Sequence, residues 1–218
     1  MRALTQAGLK TLRQLNNLYK APRKRRAARA FEALRLGPDD LAIDCGANVG
    51  DITARLARDG ARVHAFEPSP IAFEALTRRV GQIANVSLHN SAVSDHNGTA
   101  KLYLHRKLDR DPLGHSAGSS LIAGKHNLDA DNSVEVTAID LAEFIAGLGE
   151  RVRLLKIDVE GLEAVLINHL IDRKVIERID QVYCETHEFK VPGLAADCRA
   201  LRKRLSREGI GHVNLDWA

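Results

Sequence analysis

The stretch Asp44-Cys45-Gly46-Ala47-Asn48-Val49-Gly50 follows the apolar run Leu41-Ala42-Ile43 and leads into Ile52-Thr53-Ala54-Arg55-Leu56-Ala57-Arg58, which has helical character. An acid and two glycines therefore stand where a strand hands over to a helix. Glycines at 46 and 50 permit a tight turn and a close ligand approach, while the new helix aims its first amides into the same space. A dinucleotide fingerprint would read GxGxxG and seat a pyrophosphate on those amides. Here the spacing is acid-x-Gly-x-x-x-Gly, with the carboxylate of Asp44 leading. A carboxylate at a strand tip repels phosphate and attracts a cation. The same spacing also suits a structural aspartate with glycines that pack a helix.

Outward from this turn the pattern alternates. Residues 62–67, 86–90, 153–158 and 181–187 are strand-like, while 69–80, 162–170 and 194–209 are helical, and 212–217 suggests a last strand. Alternation of this kind predicts an α/β fold: a mostly parallel sheet built from βαβ units, with helices on both faces and ligands bound at the strands' carboxyl ends. Two further β-rich runs, 98–106 and 133–140, flank a polar stretch from about Lys107 to Asn132. With no helix between them they are expected as antiparallel strands added at an edge of the sheet, the connection being a loop that can act as a lid.

The strand tips carry the candidate site. Glu67 ends the second strand 23 residues after Asp44, where nucleoside-binding α/β folds put an acid that accepts both ribose hydroxyls. Asn90, Ser91 and Ala92 end the third, at the expected adenine edge. Lys156, Asp158, Glu160 and Gly161 stand at the end of a later one; charged groups so closely spaced are costly to bury without a purpose. An internal ion pair of Lys156 with Asp158 or Glu160 is the structural alternative. An adenosine cofactor without phosphate but with a sulfonium and an ammonium, S-adenosylmethionine, satisfies the acid-led turn.

Composition narrows the classes. The 218 residues, 44% apolar and 28% charged, suit one soluble domain. No apolar run is long enough to span a bilayer and the first twenty residues contain no apolar signal core, so a cytoplasmic location is expected. The three cysteines, Cys45, Cys184 and Cys198, lack metal-ligand spacing and fit a reducing compartment. Charge is uneven: residues 1–36 hold ten Lys or Arg against Glu32 alone, a net +9 in a chain of +4, which leaves −5 for the rest. Residues 1–38 are thus expected as a basic helical arm, and 39–218 as the S-adenosylmethionine-binding domain. The arm can meet nucleic acid or anionic lipid, or can be a solvated helix whose Leu4, Leu12, Leu15 and Leu18 pack on the domain. With nine aromatics in the chain for stacking, and no Asn/Asp-Pro-Pro-aromatic motif, nucleic acid is the weaker candidate acceptor.

Taken together, DCGANVGDITARLARDGARVHAFEPSP, HNSAVSDHNGTAKLYL, GSSL and LLKIDVEGLEAVL resemble, in that order, the FkbM-type family of S-adenosylmethionine-dependent methyltransferases. The resemblance implies the class I methyltransferase fold, Rossmann-like, and O-methylation of a sugar, glycan or natural-product hydroxyl. By it Asp44, Gly46, Asn48 and Gly50 line the methionine end of the cofactor, Glu67 holds the ribose, and Ser91 and Ala92 lie by the adenine. Asp158, Glu160 and Gly161 correspond to the fourth-strand motif. The short C-terminal region departs from the family and leaves a seventh strand open. The long basic arm is a second departure.

Methyl transfer to an alcohol requires in-line alignment and a group that takes the hydroxyl proton. Asp158 is the first candidate and His187 the second, with Glu160 beside them and His115 in the loop as a further histidine. A metal held by Asp158, Glu160, Glu185 or His187 is conceivable, but the spacing is not diagnostic and none is assigned.

Overall fold

The computed structural model describes residues 22–106, 114, 118–122, 128–188 and 193–217. Residues 1–21 of the basic arm, with Leu4, Leu12, Leu15 and Leu18, and His115 lie outside them. A first helix, α1, covers residues 22–33. It is followed by β1 (Leu41–Cys45), α2 (Asp51–Ala57), β2 (Arg62–Phe66), α3 (Pro70–Val80), β3 (Val86–His89) and β4 (Ala92–Ser94). Then come β5 (Gly98–His105), β6 (Leu128–Asp140), α4 (Leu141–Gly147), β7 (Leu154–Ile157), α5 (Glu163–Asp172), β8 (Val182–Cys184), α6 (Leu194–Arg207) and β9 (Val213–Asn214).

Six strands form one parallel sheet in the order β3-β2-β1-β7-β8-β9. The chain winds outward from β1 to β3, then restarts at β7 on the other side of β1. The gap between the carboxyl ends of β1 and β7 is therefore the topological switch point, where open α/β sheets bind ligands. All of β1 and β7 is buried, as strands covered on both faces must be. Leu41, Ile43, Cys45, Leu155 and Ile157 pack with the inner faces of α4, α5 and α6. Ala42, Val63 and Leu154 pack with α1 and α2, while Ala65 meets Leu76 and Val80 of α3.

The β-rich ribbon differs from the sequence expectation. β5 and β6 do pair antiparallel, but β6 takes β4 as a parallel partner, giving a separate sheet β4-β6-β5 rather than an extension of the main one. The reason lies in its apolar residues: Leu102 and Val136 bury against Ala92, with Leu121 and Val134 alongside, and so make a small core of their own. The pattern also hides β4 and the helix α4, which Asp140 caps by accepting from the amide of Glu143 at 2.9 Å. The last strand is two residues long and runs parallel to β8.

The described part of the basic arm is docked on the sheet. Ala27 and Phe31 of α1 are buried, with the Phe31 ring 5.1 Å from that of Tyr183 and 4.9 Å from that of Trp217. Arg55 of α2 lies over the same ring and donates to the Phe31 carbonyl at 2.7 Å. Phe31→Ala should therefore cost about 3 to 5 kcal/mol, the range for deleting a buried aromatic. Urea denaturation reads it, and an unchanged midpoint would show that α1 contributes nothing to the fold.

Candidate active site

At the switch point the opening motif resolves into two kinds of residue. Asp44 is fully buried, accepts from the Thr53 hydroxyl at 2.7 Å through Oδ2, and has Oδ1 3.1 Å from Lys156 Nζ. Lys156, equally buried, also donates to the carbonyls of Gly46 (2.7 Å) and Cys45 (3.3 Å). Burial works against the ammonium, but Asp44 and Asp158 outweigh it and raise the pKa of Lys156 above the ordinary lysine range. The cation that Asp44 attracts is thus a side chain of the neighbouring strand, because a carboxylate with no access to water needs its countercharge built in.

Both glycines also serve packing. At Gly46 (φ 78°) a Cβ would stand 1.8 Å from the carbonyl oxygen of Asp158, so the two backbones touch. At Gly50 (φ 89°) it would stand 2.8 Å from Leu76 of α3. The turn amides are spent internally as well: Gly46 and Ala47 both donate to the Phe66 carbonyl, and Asn48 donates to Glu67 Oε2 at 2.8 Å.

Above this turn lies a cleft with a cavity volume of about 100 Å³, lined by Gly46, Asn48, Glu67, Ser91, Ala92, Asp158 and Glu160 among others. These seven were all singled out in the sequence; of the other candidates, Asp44 and Gly50 lie beneath the cleft and His187 stands behind its rim. Glu67 is held by two amides, those of Asn48 and Ser69, each at 2.8 Å. Burial nevertheless lifts its carboxyl to about 7. On the opposite wall Ser119, buried, has an Oγ with no hydrogen-bond partner among the described residues. Ser120 ties this wall to the site: its backbone bridges Tyr103 of β5, and its hydroxyl donates to the Glu160 carbonyl at 2.7 Å.

The end of β7 is crowded with charge. Asp158 Oδ1 is 3.6 Å from His187 Nε2, and Oδ2 is 3.8 Å from Lys156. Burial raises Asp158 to about 6; Lys156 and His187 oppose that rise, whereas Glu185 and Glu160 add to it. Glu160 sits in the left-handed region (φ 59°), an uncommon conformation for a residue with a side chain, and its Oε1 is 3.3 Å from His187 Nε2. His187 Nδ1 is 2.7 Å from Glu163, a buried carboxylate that also accepts from the Gly161 amide at 2.9 Å. Burial disfavours a charged imidazole here, but the bonds to Glu160 and Glu163 outweigh it and bring His187 to about 9. His187 is a held cation with both ring nitrogens engaged, which does not suit it to abstract a proton. Sequence reasoning missed Glu163; the signal was an acid in the first turn of an apolar helix, which reads as an exposed dipole partner until the fold turns it inward.

Residues 44–209 match the methyltransferase FkbM domain. The chain belongs to that family. It is similar to the 31-O-demethyl-FK506 methyltransferase FkbM of Streptomyces tacrolimicus, 30% identical over 178 residues that span 71% of this chain and 68% of that one. Among solved structures it is similar to an rRNA methylase from Streptococcus thermophilus, at 14% identity and a TM-score of 0.41 over 84% of this chain and 75% of the other. A fibrillarin/Nop5p complex matches at 16% identity and a TM-score of 0.45, over 85% and 68%. As an FkbM-family methyltransferase the chain uses S-adenosylmethionine as methyl donor. No helix among its described residues is long and apolar enough to cross a membrane.

The buried pair makes a stability prediction for this family member. Lys156→Met should destabilise the fold by about 3 to 5 kcal/mol, because it strands the Asp44 carboxylate without water or countercharge. Asp44→Asn in the same background should recover part of that loss. Chemical denaturation compares the three proteins, and a single variant as stable as wild type would mean that the pair is not the anchor of the turn.

Proposed function

We propose that this methyltransferase transfers the methyl group to a hydroxyl of a small natural product or sugar, with Asp158 and Glu160 as the carboxylates that face the acceptor. The observation that carries the reading is that both line the same cleft as Gly46, Asn48 and Glu67. The relative from Streptomyces tacrolimicus is by name a methyltransferase of 31-O-demethyl-FK506, which supports an oxygen acceptor.

The cleft residues fit the donor. Glu67 keeps carboxylate lone pairs beyond the two used by Asn48 and Ser69, enough to accept the ribose hydroxyls. Ser91, Ala92 and the orphaned hydroxyl of Ser119 offer small polar and apolar contacts for a purine. Gly46 and Asn48 border the methionine end. When bound, S-adenosylmethionine supplies a methyl on a sulfonium; its C–S bond breaks as the C–O bond forms, and the donor leaves as a neutral thioether. The chain's own tasks are to align the acceptor, exclude water and take the hydroxyl proton. His187 is already protonated and bonded on both nitrogens, so the proton goes to a carboxylate of the Asp158/Glu160 pair.

Two measurements test this assignment. If ionised Glu67 accepts the ribose hydroxyls, donor affinity should rise by up to about tenfold per pH unit below 7 and level off above it, since a carboxyl raised to about 7 must first lose its proton. The sign is opposite for the ligand-free fold: between 4.5 and about 7 the native state holds the Glu67 proton more tightly than the unfolded chain, so that contribution to stability falls as pH rises. Calorimetry with Glu67→Gln should show the slope flattened and affinity at pH 8 weakened by about 1.5 to 3 kcal/mol; an unchanged profile would remove Glu67 from the cofactor site.

For catalysis, Asp158→Asn or Glu160→Gln should lower kcat by about 10² to 10⁴ while donor affinity changes much less. Incubation with labelled donor and a panel of hydroxylated acceptors provides the assay. Label appearing on RNA rather than on any small hydroxylated compound would overturn the acceptor class.

A further inference from the structure

Five carboxylates, Asp44, Asp158, Glu160, Glu163 and Glu185, gather where β1, β7 and β8 end, and two cationic side chains, Lys156 and His187, stand among them. Lys156 is occupied by Asp44 and two carbonyls. That leaves one imidazole facing three carboxylates through a single nitrogen: Nε2 lies 3.3 Å from Glu160, 3.6 Å from Asp158 and 3.9 Å from Glu185. The other nitrogen is anchored by Glu163, which the backbone of Gly161 holds in turn. A histidine whose Nδ1 is fixed by a buried carboxylate and whose Nε2 points into a set of oxygen donors has the arrangement that orients metal-ligating imidazoles.

We propose that Asp158 Oδ1, Glu185 Oε1 and His187 Nε2 bind a divalent cation of the Mn²⁺ or Zn²⁺ type at the rim of the cleft. One atom from each lies within 4.8 Å of the others. Donors about 2.0 to 2.2 Å from one ion would be closer together than that, and Glu185, the most exposed of the three, has room to close the gap by rotating. Mixed imidazole and carboxylate donors suit borderline to hard ions rather than soft ones. The ion replaces the proton on Nε2, which leaves to solvent. Three protein ligands leave coordination positions open, and Asp158 already faces the cleft, so an acceptor oxygen can take one of them and become more acidic. Glu160, outside the ligand set but beside it, is then the carboxylate that receives the proton. This catalytic role rests on the O-methyl transfer reading; the binding of the ion does not.

The test uses the full chain, stripped with a chelator, dialysed and titrated with MnCl₂ while free Mn²⁺ is followed by electron paramagnetic resonance. One Mn²⁺ should be taken up per chain and displaced by equimolar Zn²⁺. Asp158→Asn and Glu185→Gln should each weaken uptake at least about tenfold, whereas Glu160→Gln should retain it. Thermal unfolding guards against misfolding: Mn²⁺ should raise the Tm of wild type and Glu160→Gln and leave that of Glu185→Gln unmoved. No stoichiometric uptake of either ion, or uptake indifferent to Asp158→Asn and Glu185→Gln, overturns the site. Because neither acceptor nor donor is present, persistent uptake alongside failure of every hydroxylated acceptor would reject the proposed reaction and keep the metal site.

Discussion

The ion pair between Asp44 and Lys156 is the constraint on which the site depends. It joins the tips of the two central strands, β1 and β7, at the point where the winding of the sheet reverses. Two charges without water would be unfavourable alone; with Thr53 bonded to one oxygen of Asp44 and two carbonyls accepting from Lys156, the pair becomes a clamp. The clamp sets the turn beneath the cleft. That turn gives its amides to Phe66 and Glu67, which brings the end of β2 into line with β1. Three strand tips are thereby positioned by one buried interaction.

Charge placed on one side of this clamp has a different character from charge on the other. Toward β2, Glu67 is a carboxylate steadied by amides, suited to neutral hydroxyl donors. Toward β8, Asp158, Glu160, Glu163 and Glu185 surround one imidazole, a concentration of negative charge that a donor sulfonium, an acceptor proton or a metal ion can each relieve. The Gly46 turn thus divides a side with one amide-held carboxylate from a side where charge is clustered.

Much of this was legible in the sequence because it is local. The strand-helix alternation, the acid-led glycine turn and the acids at the strand tips each depend on residues a few positions apart, and the β strands' period is short. What escaped reading depends on contacts between distant segments. Asp44 looks like a ligand for a cation until Lys156, over a hundred residues later, is seen to fill that role. That Gly46 and Gly50 also make room for Asp158 and Leu76 is decided by residues far along the chain. The ribbon of β5 and β6 is antiparallel as expected, yet which sheet it joins is decided by Ala92, Leu102 and Val136, whose burial together no periodicity encodes. Glu163 resembled an ordinary exposed helix-start acid.

The contact between Gly46 and the carbonyl of Asp158 sets a length scale. The Gly46 turn and the carboxylate-bearing loop meet backbone to backbone, with no side chain between them whose size could vary. The spacing from one to the other is therefore a property of peptide geometry, insensitive to most substitutions. The ribbon wall, by contrast, reaches the same loop through side chains, the hydroxyl of Ser120 on the Glu160 carbonyl and Ile122 against Gly161. A lineage can therefore remodel that wall by exchanging side chains while the distance from turn to loop stays constant.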